Sequence, residues 1–460
     1  MGLNPDSGHA DAPDHRDTTE RWDATDHRDT TERWDAFEQA DAAEHTDAGT
    51  VHAHTKRSRF RKVAWIVVVC LIAALSGTFA AVAPHAANAA IESEGSSGER
   101  SEAGAVLPVV KPPTVVVSPA SGAKQVNPAA PVTITVKDGT LERVSLTSTK
   151  GKTIEGALTP NGLSWTATTP LEFNTSYTFN YTVADTAGRA TSKTESFTTV
   201  STQNEADAAM YPLDGSKVGV AQPLQITFSE PVVNKAAVEQ AIKVTSTSGQ
   251  VGAFHWFSDT MVRYRPENFW AANSTVTVDL KLFGVDFGNG QIGNFNKTNT
   301  FKIGDKKVAI ADAVAHTFTV SVNDQQVGQW PDTMGDTRFP SARGYLVLME
   351  KYRVEHMDAS TIGLKPGDPA YYGQLDVNYA TRLTPSGEFI HQATDTAMPY
   401  IGVTNLSHGC IGLGPDGAKW VFDNMGTGDV VQVVNTEGDY ANYDDGFGDW
   451  NIPWAQYAKR

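Results

Sequence analysis

The sequence predicts a mainly β protein: two consecutive β-sandwiches, then a compact β-rich domain with one short helix, all behind a single transmembrane helix. Three observations carry this. Apolar and polar residues alternate in short runs between turn signals from residue 114 to about 304. A β rhythm resumes after residue 305 and is broken once by a helical stretch. One uncharged run of 21 residues, 63–83, stands apart from both. Period-two alternation marks half-buried strands, and repeated short strands bounded by Gly, Pro and Asn mark sandwiches.

In chain order, residues 1–62 form an acidic tail with a basic end. Residues 1–55 hold fourteen acidic and four basic side chains with few aliphatics, a composition that builds no core. The tail repeats DHRDTTERWDA at 14–24 and 26–36. Its histidines lack the tight spacing of a metal site. The block KRSRFRK at 56–62 precedes the apolar run VAWIVVVCLIAALSGTFAAVA at 63–83. That run is long enough to cross a bilayer, and the basic flank keeps its N-terminal side in the cytoplasm. Everything after it is therefore expected outside the cytoplasm, attached by an uncleaved signal anchor. Cleavage after Ala89 is the competing reading.

Residues 84–113 read as a linker rich in Ser, Gly, Glu and Pro. The first sandwich is expected over 114–200, with strands such as SYTFNYTVAD. The second is expected over 201–304, with VNKAAVEQAI at 233–242 as its helix. Neither carries a catalytic constellation, so their simplest role is to hold the rest of the chain away from a membrane. The third domain, 305–435, places Phe318, Val320 and Val322 on one strand face and ends in GPDGAKWVFDNMGTGD. There the sequence predicts a helix begun by Pro415 and Asp416 and stopped by Gly426. Residues 436–460 carry Trp450 and Trp454 and are expected to pack as a tail on that domain.

The 460 residues carry a formal charge of −16, which excludes a nucleic-acid surface as the main activity. There are two cysteines, and Cys70 lies within the apolar run. Cys410 is thus alone in the exported portion and has no partner for an intramolecular disulfide. It is left as a buried structural thiol, one ligand of an incomplete metal set, or a nucleophile. Its setting, NLSHGCIGL just upstream of a helix, favours the last, because free backbone N–H groups support a thiolate or an oxyanion. A nucleophilic thiol needs a base. His391, closing the alternating strand GEFIH, is better placed than His408, whose separation from Cys410 is fixed by the backbone. His408 then orients the loop, and Ser407 bonds locally to backbone or histidine. No metal and no cofactor are expected; Asp444 and Asp445 lack the spacing of a calcium loop.

The SHGC tetrad with an upstream histidine, in a β-rich exported domain, resembles the L,D-transpeptidases of the YkuD type. The likeness extends through GYLVLMEKY, LDVNYATRLTPSGEFIH, TNLSHGCIGLGPDGAKWVFDNMGTGDVVQVVNT and GFGDWNIPW to actinobacterial members that carry a membrane anchor and Ig-like domains. This resemblance implies a peptidoglycan enzyme. Cys410 would attack a tetrapeptide donor stem at the third-position diamino acid, expel D-alanine and form a thioester. An acceptor stem's amine would then give a 3→3 cross-link. His391 would be the base, and the N–H groups of Gly409 and Cys410 the oxyanion hole. Tyr372 would stand near the oxyanion, with Tyr371 as a competing alignment, and Met357 would line the substrate mouth. Carbapenem-type β-lactams would acylate the same thiol. Two departures bear on substrate contacts: Gln392 stands where relatives place serine, and Gly412 where they place Asn or Arg. Two rival functions remain beside this one. Water as acceptor would make an L,D-carboxypeptidase, and a decayed site would leave a wall-binding spacer.

Overall fold

A computed structural model describes residues 110–459. The acidic tail, the apolar run 63–83 and most of the linker lie outside them. Among the described residues no helix is long and apolar enough to cross a membrane.

Alternation in the first sandwich becomes two four-stranded antiparallel sheets. One is ordered Thr114–Ser118, Thr133–Lys137, Ser164–Ala167, Gly156–Leu158. The other is ordered Thr153–Ile154, Gly139–Ser148, Ser176–Asp185, Ala190–Thr198. In Ser176–Asp185 every second residue, Tyr177, Phe179, Tyr181 and Val183, is buried, and these rings meet Trp165 and Phe197 in the core. The second sandwich also has two four-stranded sheets, with one parallel pair, Lys217–Val218 beside Asn296–Ile303. One sheet is ordered Ala208–Tyr211, Leu224–Phe228, Met261–Pro266, Gly252–Trp256, and the other Lys217–Val218, Asn296–Ile303, Thr275–Lys281, Ile242–Ser246. Its helix spans Lys235–Gln240 and is shorter than the stretch 233–242, because Asn234 takes the N-cap position and Ile242 already begins a strand.

The third domain is one nine-stranded sheet. Its order is Gly344–Val347, Val430–Val434, Lys307–Asp312, Thr317–Val322, Gln325–Thr333, Ile411–Leu413, Phe389–Gln392, Gln374–Arg382, Lys351–Asp358. Two neighbouring pairs are parallel: Lys307–Asp312 with Val430–Val434, and Phe389–Gln392 with Ile411–Leu413. A helix, Pro415–Asn424, follows Ile411–Leu413 and buries Ala418 and Val421 in the domain core. Proline in its first turn forfeits no hydrogen bond, and Asp416 there complements the helix dipole.

The tail 436–460 departs from expectation. Part of it meets the sheet domain, where Phe447 packs with Val347 and Val430. Its aromatic end, however, docks on the second sandwich: Trp450 Nε1 donates to the Ala221 carbonyl at 2.7 Å, and Tyr457 stacks on His255. Two arginines explain this. Arg263 and Arg265 point outward from a sandwich strand and are buried, so each needs acceptors. The tail supplies Asp449, at 2.8 Å from Arg263, and the carbonyls of Asp449 and Ile452 to Arg265.

Candidate active site

Two adjacent parallel strands, Phe389–Gln392 and Ile411–Leu413, build the site. Register pairs Ile390 with Ile411 and His391 with Gly412. Ile390, Ile411 and Leu413 enter the domain core. By alternation, Phe389, His391, Cys410 and Gly412 project from the opposite face. There Cys410 packs in a small apolar cluster with Phe389, Val377, Ala380, Leu375, Tyr352 and Met357. Pairing in register thus brings His391 and Cys410, 19 positions apart in sequence, onto one face.

His391 is buried, and its Nδ1–H donates to the Gln392 carbonyl at 2.7 Å. Since a carbonyl only accepts, this bond fixes the tautomer and leaves Nε2 as the acceptor. Burial holds the imidazole below its usual pKa, with the Gln392 bond opposing, so the ring is neutral near pH 7. Burial also pushes the Cys410 thiol up to about 12. Glu388 adds to that rise, while the Phe389 N–H and the Arg382 guanidinium oppose it. The resting pair is therefore thiol and imidazole, not thiolate and imidazolium. The thiol's hydrogen bond goes to the Gly387 carbonyl at 3.6 Å.

The turn before the cysteine is held from several sides. Gly409 sits at φ +122°, a conformation closed to side-chain-bearing residues. The Ser407 hydroxyl donates to the Cys410 carbonyl at 2.6 Å and accepts the Gly409 N–H at 3.2 Å. Buried Ser341 donates to the Gly409 carbonyl at 2.5 Å and accepts the Gly335 N–H. Asn405 and Thr333 tie the preceding loop down: Asn405 Oδ1 accepts Met334 N–H, and Thr333 Oγ1 accepts Leu406 N–H. Opposite, His408 Nε2 reaches the Ala370 carbonyl at 2.9 Å, and its ring packs against Phe339 and Tyr372.

Several sequence assignments change in this light. Gly409 was expected to lend its N–H to an oxyanion, but Ser407 Oγ occupies that donor. Ser407 bonds locally to backbone, as expected, and those bonds turn its hydroxyl into its own loop, away from a substrate contact. His408 orients its turn through a hydrogen bond, as expected, and because the partner is the Ala370 carbonyl the same bond fastens the 364–373 loop to the turn. Gln392 serves through its backbone carbonyl, which makes the identity of its side chain immaterial to orienting His391. Gly412 lies inside the strand, where an added Cβ would stand 2.9 Å from Thr333 Cγ2 and 3.4 Å from Ala393 Cβ. A side chain at this position would therefore crowd the Thr333 methyl before it reached any other neighbour. Met357 stays beside the thiol, half-buried in the same cluster. Tyr372 is favoured over Tyr371 by its packing on the His408 ring, centroid to centroid 5.0 Å, beside the turn that carries Cys410.

Ser341, Arg382 and Glu388 escaped the sequence reading. Ser341 in FPSARG carries no motif signal, since its value comes from a contact with a carbonyl 68 residues away. Glu388, three residues before His391 in GEFIH, was in view but reads as an ordinary polar position of an alternating strand. Among the described residues no group of His, Cys, Asp and Glu is arranged to hold a metal ion.

The L,D-transpeptidase catalytic domain family, YkuD, matches residues 306–433, and the bacterial Ig domain family matches 123–286. L,D-transpeptidase 2 of Mycobacterium tuberculosis (strain CDC 1551 / Oshkosh) is 39% identical over 345 residues, covering 75% of this chain and 84% of that protein. L,D-transpeptidase 5 of Mycobacterium tuberculosis (strain ATCC 25618 / H37Rv) is 31% identical, covering 75% and 76%. A solved L,D-transpeptidase in complex with imipenem is 35% identical, covers 49% of this chain and 97% of its own, and superposes with a TM-score of 0.43. With a tautomer-locked histidine and the one cysteine of the described residues on the same face of two adjacent parallel strands, and relatives matched over most of their length, the chain belongs to the L,D-transpeptidases and is an enzyme of that kind.

Proposed function

We propose that this enzyme forms 3→3 cross-links between peptidoglycan stems through a thioester on Cys410. The observation that carries the reading is the placement of Cys410 on the same face of adjacent strands as a buried, neutral His391 whose tautomer is set by the Gln392 carbonyl. Turning the thiol away from Gly387 hands its proton to His391 Nε2 as the sulfur attacks the carbonyl of the third-position residue in a tetrapeptide donor. The tetrahedral oxyanion is met by the Cys410 N–H, with the Tyr372 hydroxyl the nearest side-chain candidate for a second donor. Collapse breaks the L-to-D amide. His391 returns the proton to the departing amine of D-alanine, leaving the thioester. The side-chain amine of an acceptor stem then attacks, His391 takes its proton, and the thiol regains it as the cross-link forms. Each oxyanion donor of this type contributes roughly 3–4 kcal/mol to the transition state.

Loop 364–373, tied to His408, forms one wall of the donor site, and Met357 and Tyr352 form another. A carbapenem carbonyl fits the same attack, with ring opening in place of D-alanine loss. The apolar run 63–83, behind its basic flank, anchors the chain in the cell membrane with the described domains on the outer side, where the stems are. Intact-mass measurement tests the reading. Wild-type protein with purified tetrapeptide stems should carry an acyl adduct and release 3→3 dimers, and Cys410→Ala should do neither. A folded wild-type protein that forms no adduct overturns it, and an adduct released only by water makes it an L,D-carboxypeptidase.

A further inference from the structure

Beneath the cysteine turn lies a carboxyl group that the reaction above does not use. Glu388 immediately precedes the strand Phe389–Gln392 that carries His391. Its Oε1 accepts the Ala342 N–H at 2.9 Å, and a Cβ built on Gly409 would lie only 3.1 Å from that same oxygen. The carboxyl therefore fills the hollow left by Gly409 and connects two segments that both hold the turn. Ser341 fixes the Gly409 carbonyl, and the next residue, Ala342, fixes Glu388. We propose that Glu388 is a positioning residue for acylation that works in its neutral form: its carboxyl props the Gly409–Cys410 turn, and its ionisation opposes the negative charge that develops at Cys410.

The charges around it support this. From the turn, Glu388 faces Cys410, whose thiolate it disfavours. From the C-terminal segment it faces Asp445, whose carboxylate is held by Ser386 N–H at 2.8 Å and is a like charge. From the neighbouring strand, Arg382 acts on Cys410, but its guanidinium is spent on Glu355 at 3.4 Å and on the face of Phe389. Ala342 contributes only a backbone N–H. No cation in this set is free to neutralise Glu388, and burial together with Asp445 raises its pKa to about 7. Between pH 6 and 8.5 the carboxyl would pass from a neutral prop to a buried anion beside the nucleophile. Acylation passes through an anionic sulfur and then an oxyanion, so both steps are slowed by that anion.

The inference rests on Cys410 being the acylated residue, so two probes are used on the full chain. Imipenem acylation reports catalysis, and iodoacetamide alkylation of the Cys410 peptide reports the thiol alone. Rates are followed by mass at pH 6 and pH 8.5 for wild type and Glu388→Gln, which keeps an acceptor for Ala342 and cannot ionise. The ratio of the pH 8.5 rate to the pH 6 rate should rise about tenfold in Glu388→Gln with both probes, the effect of one unit of thiol pKa. Glu388→Ala should slow imipenem acylation at both pH values, with glutamine restoring it. An unchanged ratio in Glu388→Gln overturns the proposal. Should that variant fail to fold, the wild-type alkylation profile decides: a flattening near pH 7 supports the proposal, and an uninterrupted log-linear rise overturns it. Alkylation without imipenem acylation would refute the acyl-enzyme reading, while the alkylation ratio would still decide the role of Glu388.

Discussion

The two sandwiches share a plan but not an attachment. The first meets the second through little: Asn127 Nδ2 donates to the Gly284 carbonyl at 2.7 Å, Phe173 packs edge-on against Phe283, and Ala129 covers Gly284. The second is joined to the catalytic sheet along its backbone. Gly219 N–H donates to the Thr427 carbonyl, Ala221 N–H donates to the Gly428 carbonyl, and an added Cβ on Gly219 would lie 2.2 Å from the Asp429 nitrogen. The C-terminal tail then crosses back over Arg263 and Arg265. Chain segments separated by 184 to 187 positions thus share one buried polar network, with Asp449 at its centre. A sandwich fold alone does not say whether a domain is a spacer or part of the enzyme. The polar groups buried at its boundary do.

That contrast is broken most directly at Asp449. Its side chain is fully buried, pairs with Arg263 at 2.8 Å and accepts from the Tyr457 hydroxyl. Asp449→Ala leaves the Arg263 charge buried with the Gln225 amide oxygen and two backbone carbonyls as acceptors but no counter-ion. Removing one partner of such a pair costs about 3–5 kcal/mol. In denaturant unfolding, the second sandwich and the catalytic sheet should lose stability together, and the first sandwich should unfold as before. A variant that destabilises the second sandwich alone would show that the tail does not couple the two.

Asp332 sharpens the difference through pH. It lies in the catalytic sheet opposite Leu413, is fully buried, and both carboxyl oxygens lack a hydrogen-bond partner. Burial, and then Asp312, raises its pKa to about 7. A carboxyl whose folded pKa is raised binds its proton more tightly in the folded state. Stability is therefore full below the unfolded carboxylate range and is lost as pH climbs through about 7. At about 1.4 kcal/mol per pKa unit the loss has an upper bound of about 4 kcal/mol. Melting followed from pH 5.5 to 8.5 should show the catalytic unit weakening, and Asp332→Asn should flatten that slope. A slope that survives the substitution would assign it to another group.

Strands were legible wherever one face was wet, as in SYTFNYTVAD, because alternation and burial then coincide. The helix Pro415–Asn424 was legible from its proline, its aspartate and the glycine beyond it. Cys410 stood out because it was chemically alone, and His391 because it closed an alternating strand. What stayed hidden depends on contacts distant in sequence. Gly412 looks like a missing side chain until Thr333 and Ala393 are seen to fill its space. Gln392 looks like a lost hydroxyl until its carbonyl is found on His391. The tail's aromatic residues announced packing, but its partner was set by two arginines that read, in MVRYRP, as the solvent face of a strand.

The smallest effect is expected at the first sandwich, where the comparison is most easily overturned. Asn127→Ala removes the part-buried side-chain hydrogen bond to the Gly284 carbonyl and, within the first sandwich, the exposed acceptor of the Ala129 N–H. A net contribution of about 0.5–1.5 kcal/mol is typical of such a bond, and the Gly284 bond acts only between two domains that each have a complete core. The substitution should loosen the first sandwich relative to the second, seen as faster proteolysis of the 201–204 connection. Unfolding of the catalytic unit and imipenem acylation should remain within twofold of wild type. If acylation falls more than that, the first sandwich is not a spacer, and its weak boundary would have to transmit to Cys410 through the second sandwich and the Gly219–Asp429 contact.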